Sequence, residues 1–425
     1  MKRILLRSGK DPFEIASPET TLEANLIADN SGNLVFMEAA HKILSAPGVE
    51  VVADHRAVSP RDAARINAEY DAYVVPLANA FRPSFEPLLI HLTQVIERLR
   101  IPVVILGVGA QGTLDYDTRR LKPIERSVRA FARAVLDRSP SIGVRGELTR
   151  EYLRGLGFRD VEVIGCPSMF LWGENLRVEK RVPHLEHDAR VVLNVSPYVK
   201  AMGNVVMANV ERYPNLTYVA QDIATLQMLV WGESAKAAAT QSMVPVHGSH
   251  PLFAERRTRL YLDPWPWIRD LREADFSFGT RIHGNIAALL AGTPAYVFAH
   301  DSRTFELARY FGIPHRAMRD VPADVDPADL YAEADFTALN DGHPARLATF
   351  LDYLSRNGLD NIFAHDGASE AFDLRMSATA FPPAVGIEAP SWAGSLGARA
   401  RRRRYLAREA LRANGRQLRS AILRT

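Results

Sequence analysis

Apolar positions in the first 170 or so residues follow two alternating rhythms. Short apolar runs at 3–6, 49–52, 72–75, 103–108, 141–144 and 161–164 have the length and the β-branched content of buried strands. Between them, over 34–44, 60–69, 85–99, 124–136 and 147–156, apolar residues recur every three or four positions, the spacing of helices with one face on a core. Strand and helix in alternation predict a doubly wound parallel sheet, because parallel neighbours need a crossover and a helix supplies it. A polar stretch at 173–188 interrupts the rhythm and reads as a linker. Strands then resume at 191–195, 216–220 and 259–262, followed by a short strand at 275–278, a helix after Gly284 that Gly292 stops, a strand at 295–299 and a helix at 302–310. The pattern predicts two α/β domains, 1–172 and 189–365. Residues 322–334 read as a loop or short helix, and 344–357 as an amphipathic helix able to pack back on either domain. The stretch 366–396 has little periodicity and several Gly and Pro, so 366–425 is expected to be an extended region leading into a tail.

Composition fits this division. A chain of 425 residues accommodates two domains, and 47% hydrophobic with 24% charged residues is an ordinary globular balance. Cys166 is the only cysteine, which rules out an intrachain disulfide and a cysteine metal cluster and makes a reducing, cytoplasmic setting the simplest expectation. The apolar run of the N-terminus, Ile4-Leu5-Leu6, is too short for a signal peptide and reads as the first strand. No stretch approaches the roughly 18–20 apolar residues of a membrane span. The net charge of +3 hides an asymmetry: residues 399–425 carry ten arginines against Glu409 alone, so the body is mildly acidic and the tail strongly basic. Nucleic acid is not an expected partner on these grounds.

Ligands of doubly wound sheets bind beyond the carboxyl ends of the strands, so the loops after strands carry the candidate chemistry. These are 30–33, 77–80, 107–112, 145–147 and 165–168, together with Arg281 and His283. On an extended segment alternate side chains share a face, so Arg281 and His283 would point together above the first turn of the following helix. Free N–H groups and the positive end of the helix dipole lie there, which suits an anion beside a titratable group. Arg145, at another strand end before a helix, repeats the arrangement. The plain alternatives are arginines that pair with structural carboxylates and a histidine that is buried and satisfied. The run from Gly107 to Gly112 has the glycine spacing of a dinucleotide fingerprint, but no helix follows it, so it reads as a sharp turn. Cys166, followed by Pro167, reads as a packed thiol in a turn.

Arg281-Ile282-His283-Gly284, followed by Ala287-Ala288-Leu289-Leu290-Ala291-Gly292-Thr293-Pro294, a strand and Asp301, resembles the C-terminal signature of the polysaccharide pyruvyl transferase family. Val144-Arg145 with Thr149, then Leu153, Leu156-Gly157 and the turn from Val163 to Ser168, resembles its first-domain segment. Asn30-Ser31-Gly32-Asn33 is similar to its N-terminal turn. The resemblance runs with gaps from about Asn30 to about Arg303. It implies two Rossmann-like domains in a GT-B-like arrangement, phosphoenolpyruvate as donor and co-substrate, and a sugar diol, free or lipid-linked, as acceptor that becomes a cyclic ketal. It also implies that Arg145 and Arg281 hold carboxylate and phosphate and that His283 does acid/base work. Asn33, Asn79, Gly109, Gln111, Gly284, Asn285, His300, Asp301 and Arg303 would line the substrates, with no metal or further cofactor demanded. Two departures stand out. Leu77-Ala78-Asn79-Ala80-Phe81-Arg82 replaces a glycine-rich turn, which bears on the acceptor, and Arg303 stands where the family usually has lysine. A sugar-nucleotide glycosyltransferase of the same architecture is the runner-up, but the glutamate it would need is replaced by Ala287 and Ala288. A non-catalytic polysaccharide- or membrane-associated scaffold is a third reading, opposed by the intact Arg145, Arg281 and His283. In the tail, Tyr405, Leu406, Leu411, Leu418, Ile422 and Leu423 interleave with arginines, as in a solvated helix or a basic amphipathic helix on anionic lipid at the inner face of a membrane.

Overall fold

The chain builds two parallel sheets, and the apolar runs are their strands. In the computed structural model, which describes residues 1–232, 242–386, 397 and 399–407, the first half supplies β1 (Lys2–Leu6), β2 (Val49–Ala53), β3 (Ala72–Pro76) and β4 (Val103–Leu106). They pair in the order β2-β1-β3-β4, every pair parallel. β5 (Ile142–Val144) and β6 (Val161–Val163) extend the same surface: the Gly107 N–H donates to the Gly143 carbonyl oxygen at 3.0 Å. The next rung of that ladder is split. The Gly143 N–H donates instead to the Tyr353 hydroxyl (3.0 Å), which donates to the Ile105 carbonyl oxygen (2.8 Å), so a phenol from far along the chain sits between β4 and β5.

The second half supplies β7 (Val191–Asn194), β8 (Thr217–Ala220), β9 (Thr258–Leu260), β10 (Phe276–Gly279), β11 (Ala295–Ala299) and β12 (His315–Ala317), paired in the order β12-β11-β10-β7-β8-β9. Read from β9, this is the strand order of dinucleotide-binding sheets, and the first sheet starts with the flavodoxin-like order. In each order two adjacent strands send their crossovers to opposite sides, opening a crevice at their carboxyl ends. Those switch points fall between β1 and β3 and between β7 and β10. The two Rossmann-like halves expected from the sequence are therefore present, and their carboxyl edges meet. Ser31 N–H donates to the Gln221 carbonyl oxygen (2.7 Å), Gly112 N–H donates to Ser302 Oγ (2.8 Å), and Lys10 forms a buried ion pair with Asp263.

The C-terminal third differs in detail from the sequence reading. The helix expected at 344–357 starts earlier, as Thr337–Arg356, and its Tyr353 and the Arg356–Glu162 ion pair fasten it to the first half. Residues 322–334 contain the helix Pro327–Glu333, capped by Asp326. The region expected to be extended after 366 instead forms the helix Ala368–Ala378. Two side chains one turn apart, Phe372 and Met376, pack with Ile362 and Phe13, and Lys42 pairs with Asp373 at 2.7 Å. Two apolar positions are too few to register as a period. Residues 399–407 are helical, as expected of the tail, but their start is docked: Tyr405 is buried, Leu406 packs on the core, and Arg402 Nε donates to the Trp231 carbonyl oxygen at 2.7 Å. Leu411, Leu418, Ile422 and Leu423 lie outside the described residues. Among the described residues no helix is long and apolar enough to cross a membrane.

Candidate active site

The segment after β10 ends at a helix sooner than its sequence suggests. The helix Ile282–Leu290 begins directly after Arg281, which is its N-cap residue with extended backbone. His283 is therefore in the first helical turn, and the alternation that would have paired it with Arg281 on a strand does not apply. Its ring still enters the same space, because Asn194 at the end of β7 fixes the turn. Asn194 Oδ1 accepts from the Arg281 N–H (2.9 Å), and its amide donates to Asn285 Oδ1 (2.9 Å). Asn285 also bonds Ser277 Oγ (3.0 Å) and the Gly279 carbonyl oxygen (3.2 Å), with no exposed surface. Asn285 is thus a lock between strand and helix and not a ligand contact; the fourth position of the helix faces back onto the sheet. Gly284 does lie in the crevice. A Cβ there would sit 2.4 Å from Gln221 Nε2 and would push that amide aside, so glycine here leaves room for the Gln221 side chain.

The opposite wall comes from the first half. Arg145 is 2% exposed and lies across the turn after β4: Nε donates to the Gly107 carbonyl oxygen (3.3 Å), and a Cβ on Gly109 would fall 2.6 Å from Arg145 Cδ. Gly109 thus serves by absence of a side chain. Among the described residues Arg145 has no ion pair, although burial lowers its pKa and Cys166 and Glu306 pull it back up. Cys166 Sγ is 3.6 Å from His283 Nε2 and accepts from Ser168 Oγ at 3.1 Å. Burial pushes this thiol up, as befits a packed turn residue.

A second group of charges continues the crevice. Asp301 caps the helix Ser302–Phe311, accepting from the N–H groups of Arg303 (3.1 Å) and Thr304 (3.2 Å), and its carboxylate pairs with Arg303. Burial alone would raise the Asp301 carboxyl, but Arg303 and His300 hold it below the usual range. Asn79, its amide oxygen turned to the guanidiniums, accepts from Arg82 Nη1 (2.6 Å) and from Arg303 Nη1 (2.9 Å). Gln111 Nε2 reaches Asp301 Oδ2 only at 3.5 Å. His300 Nε2 is 3.2 Å from the Tyr198 hydroxyl and 3.6 Å from Asp301, and burial lowers its pKa. Asn33 is not part of this group: its amide donates to the carbonyl oxygens of Ile27 (3.0 Å) and Ala28 (3.1 Å), holding its own loop.

The electrostatics are one-sided. Burial first, then the fields of Arg145, Arg303 and Arg281, press His283 down to about 3, so the imidazole is neutral at neutral pH. The structure brings together Arg145, Arg281, His283, Gly284, Gly109, Asn79, Gln111, His300, Asp301 and Arg303 of the expected residues, and sets Asn33 and Asn285 to structural work. It adds two that sequence reasoning missed. Arg82 is a partly buried cation whose buried Nε has no partner among the described residues, in the loop after β3 where an arginine was already visible. Glu306 reaches across from the second half: its carboxylate accepts from the Thr149 hydroxyl (2.8 Å) and N–H (3.2 Å), and burial raises it to about 7. Nothing in its helical context marked it out.

A model of the polysaccharide pyruvyl transferase family matches residues 30–302. The chain belongs to this family. The family match takes in Arg145, Arg281 and His283 and ends at Ser302, just before Arg303 and Glu306. Membership makes the chain a transferase. No curated protein sequence matches the chain. Among solved structures it is similar to UDP-GlcNAc 2-epimerase from Methanocaldococcus jannaschii, at 10% identity and a TM-score of 0.40, over 89% of this chain and 99% of that one. It is also similar to the Neisseria meningitidis UDP-GlcNAc 2-epimerase, at 12% identity and a TM-score of 0.38, over 89% and 100% of the two chains. These overlaps are loose, and nothing about this chain's ligand follows from them.

Proposed function

We propose that the chain transfers a pyruvyl group from phosphoenolpyruvate to two hydroxyls of a saccharide, forming a cyclic ketal. The observation that carries this reading is the buried, unpaired guanidinium of Arg145 beside Arg281, Arg303 and a neutral His283. Such a wall favours a small ligand with two anionic groups, since guanidinium forks bind carboxylate and phosphate bidentately. In the reaction the methylene carbon takes a proton and C2 becomes cationic. One hydroxyl oxygen adds to C2 and loses its proton, and the C2–O bond to phosphate breaks with its electrons going to phosphate. The second hydroxyl then adds and loses its proton. One proton enters, two leave and phosphate takes one, so the balance closes.

His283 is assigned the proton transfers. It is unprotonated in the free protein because it is buried and because three arginines bear on it; donor anions cancel the arginines' field and raise its pKa toward the working range. Arg145 and Arg281 hold the donor, and Arg303 adds charge beside Asn79. A thermal-shift comparison of phosphoenolpyruvate with UDP- and GDP-sugars tests the donor. Phosphoenolpyruvate alone should stabilise the protein, and Arg145→Ala should remove the effect. Stabilisation by a nucleotide sugar with none by phosphoenolpyruvate would overturn the reading in favour of a glycosyltransferase.

A further inference from the structure

A pair of arginines away from the donor wall, Arg7 buried and Arg56 partly so, forms no ion pair among the described residues. Arg7 directly follows β1 and is 7% exposed, yet among the described residues its side chain has neither a hydrogen bond nor an ion pair. Arg56, in the loop after β2, has a buried Nε without a partner, and its remaining side-chain contact is a weak one from Nη2 to Met37 Sδ at 3.3 Å. The two guanidiniums are close enough to repel: burial and then Arg7 bring Arg56 down to about 9. The nearest buried acid is already committed. Asp54 accepts from the N–H groups of Ser8 (3.1 Å) and Arg56 (2.8 Å) and from the Tyr73 hydroxyl (2.8 Å), and forms no ion pair with either arginine. Asp29 also attracts Arg56 but is solvent-exposed and engaged with Asn25.

The loops are shaped around this place. His55 and Arg56 both have left-handed backbone (φ 49° and 55°), as do Ala28 and Asp29 (φ 45° and 67°). Non-glycine residues adopt this conformation uncommonly, and strained backbone gathers at functional sites. The location has its own logic, since Arg7 stands at the β1/β3 switch point of the first sheet, where the strand order places the ligand crevice. Asp54 attracts both guanidiniums but is bonded to neither, so two like charges held this close would gain from an anion that joins them.

We propose that Arg7 and Arg56 form a second anion subsite, which takes a carboxylate or phosphate group carried by the acceptor saccharide. Arg7 and Arg145 follow strands three places apart in the sheet, which at about 4.8 Å per strand sets their backbones roughly 14 Å apart. A three-carbon donor seated at Arg145 cannot span that interval, so the second anion belongs to another molecule. The crevice between the two sites holds Asn79 and Arg82, in the loop whose departure from the family pattern bears on the acceptor. The assignment of this anion to the acceptor rests on the donor reading given above; the subsite itself does not.

Calorimetric titration of the full chain tests it with four probes: glucuronic acid, galactose 1-phosphate, methyl galactoside and inorganic phosphate. The wild type should bind the two charged saccharides more tightly than the neutral glycoside and than phosphate alone. Arg7→Gln and Arg56→Gln should each weaken charged-saccharide binding about ten- to a hundredfold, the range for losing a charge-assisted hydrogen bond, and leave phosphoenolpyruvate affinity within about twofold. Arg145→Ala should do the reverse. Arg56→Lys, which keeps the charge, should lose less than Arg56→Gln and guards against a variant that fails to fold. Unchanged charged-saccharide binding in both folded glutamine variants sinks the proposal. So does an equal loss of phosphoenolpyruvate binding, which would make the crevice one site, or phosphate alone binding as tightly as its sugar ester. If phosphoenolpyruvate fails to bind the wild type while charged saccharides still depend on Arg7 and Arg56, the subsite stands and the pyruvyl-transfer reading falls.

Discussion

His283 shows how a residue can be named from sequence while its circumstances are not. The motif around Arg281 singled it out, but the pairing argument assumed an extended segment, whereas the helix starts at Ile282 and the ring arrives from its first turn. The chemistry survives because Arg145 and Arg303, from distant parts of the chain, join the neighbouring Arg281 around it, and only the fold could bring Arg145 there. Its depressed pKa, about 3, gives a directional expectation. In kcat/KM, which reports the free enzyme, the acidic limb assigned to His283 should lie far below that of an ordinary histidine; in kcat, which reports the complex, it should move up as donor anions screen the arginines. Coincident limbs would remove His283 from proton transfer. His283→Gln should lose roughly 10²–10⁴ in turnover with donor affinity retained, because the lost interaction belongs to the transition state. Arg281→Ala, by contrast, should weaken donor binding by about 1.5–3 kcal/mol, measurable in the same titrations.

Among the elements, those with a strong period were legible and those held by a few contacts were not. The strands of the first sheet and the helix Gly32–Leu44 match their apolar patterns closely, since each buries a full face. The strand β12 and the helix Ala368–Ala378 were missed because His315-Arg316-Ala317 has no buried residue and the helix buries only Phe372 and Met376. Likewise Asn285 and Asn33 look like ligand residues in a motif, but the sequence cannot show that β7 and the loop at 27–28 use their amides. The helix Ser302–Phe311 carries the element-level expectation, because Glu306 reaches from it to Thr149 at the start of the helix Glu147–Gly155. Its carboxyl is raised from 4.5 to about 7, so the folded state holds a proton that the unfolded chain releases; the stabilisation is full below about pH 4.5 and lost as pH rises through about 7. Glu306→Gln, which mimics the protonated acid, should therefore shrink the fall in urea-unfolding stability between pH 5 and pH 7.5. An unchanged slope would show that Glu306 does not carry it.

For the whole molecule, the described start of the tail, residues 399–407, is docked. Truncation after residue 396 removes Tyr405 from the core and the Arg402 bond to Trp231, and should lower the melting temperature. Truncation after residue 407 keeps both. It removes five arginines, each contributing about 1 kcal/mol at an anionic surface, and should reduce salt-sensitive binding to phosphatidylserine vesicles without touching stability. Equal vesicle binding by the full chain and by this shorter one would rule out a membrane role for residues 408–425. The hydroxyl of Tyr353 carries a different consequence, one of timing. It occupies the rung between Ile105 and Gly143, which are complete once the first sheet has been synthesised, yet it is itself made only long after that sheet's last strand. At about 5–20 residues per second the ribosome needs roughly ten to forty seconds to travel from the last strand of that sheet to Tyr353. Through that interval the emerging first half lacks one rung between β4 and β5, although the Gly107–Gly143 bond beside it needs nothing from the second half. That rung must wait for a residue that folds with the other half, so the first sheet is completed only after the second half has emerged.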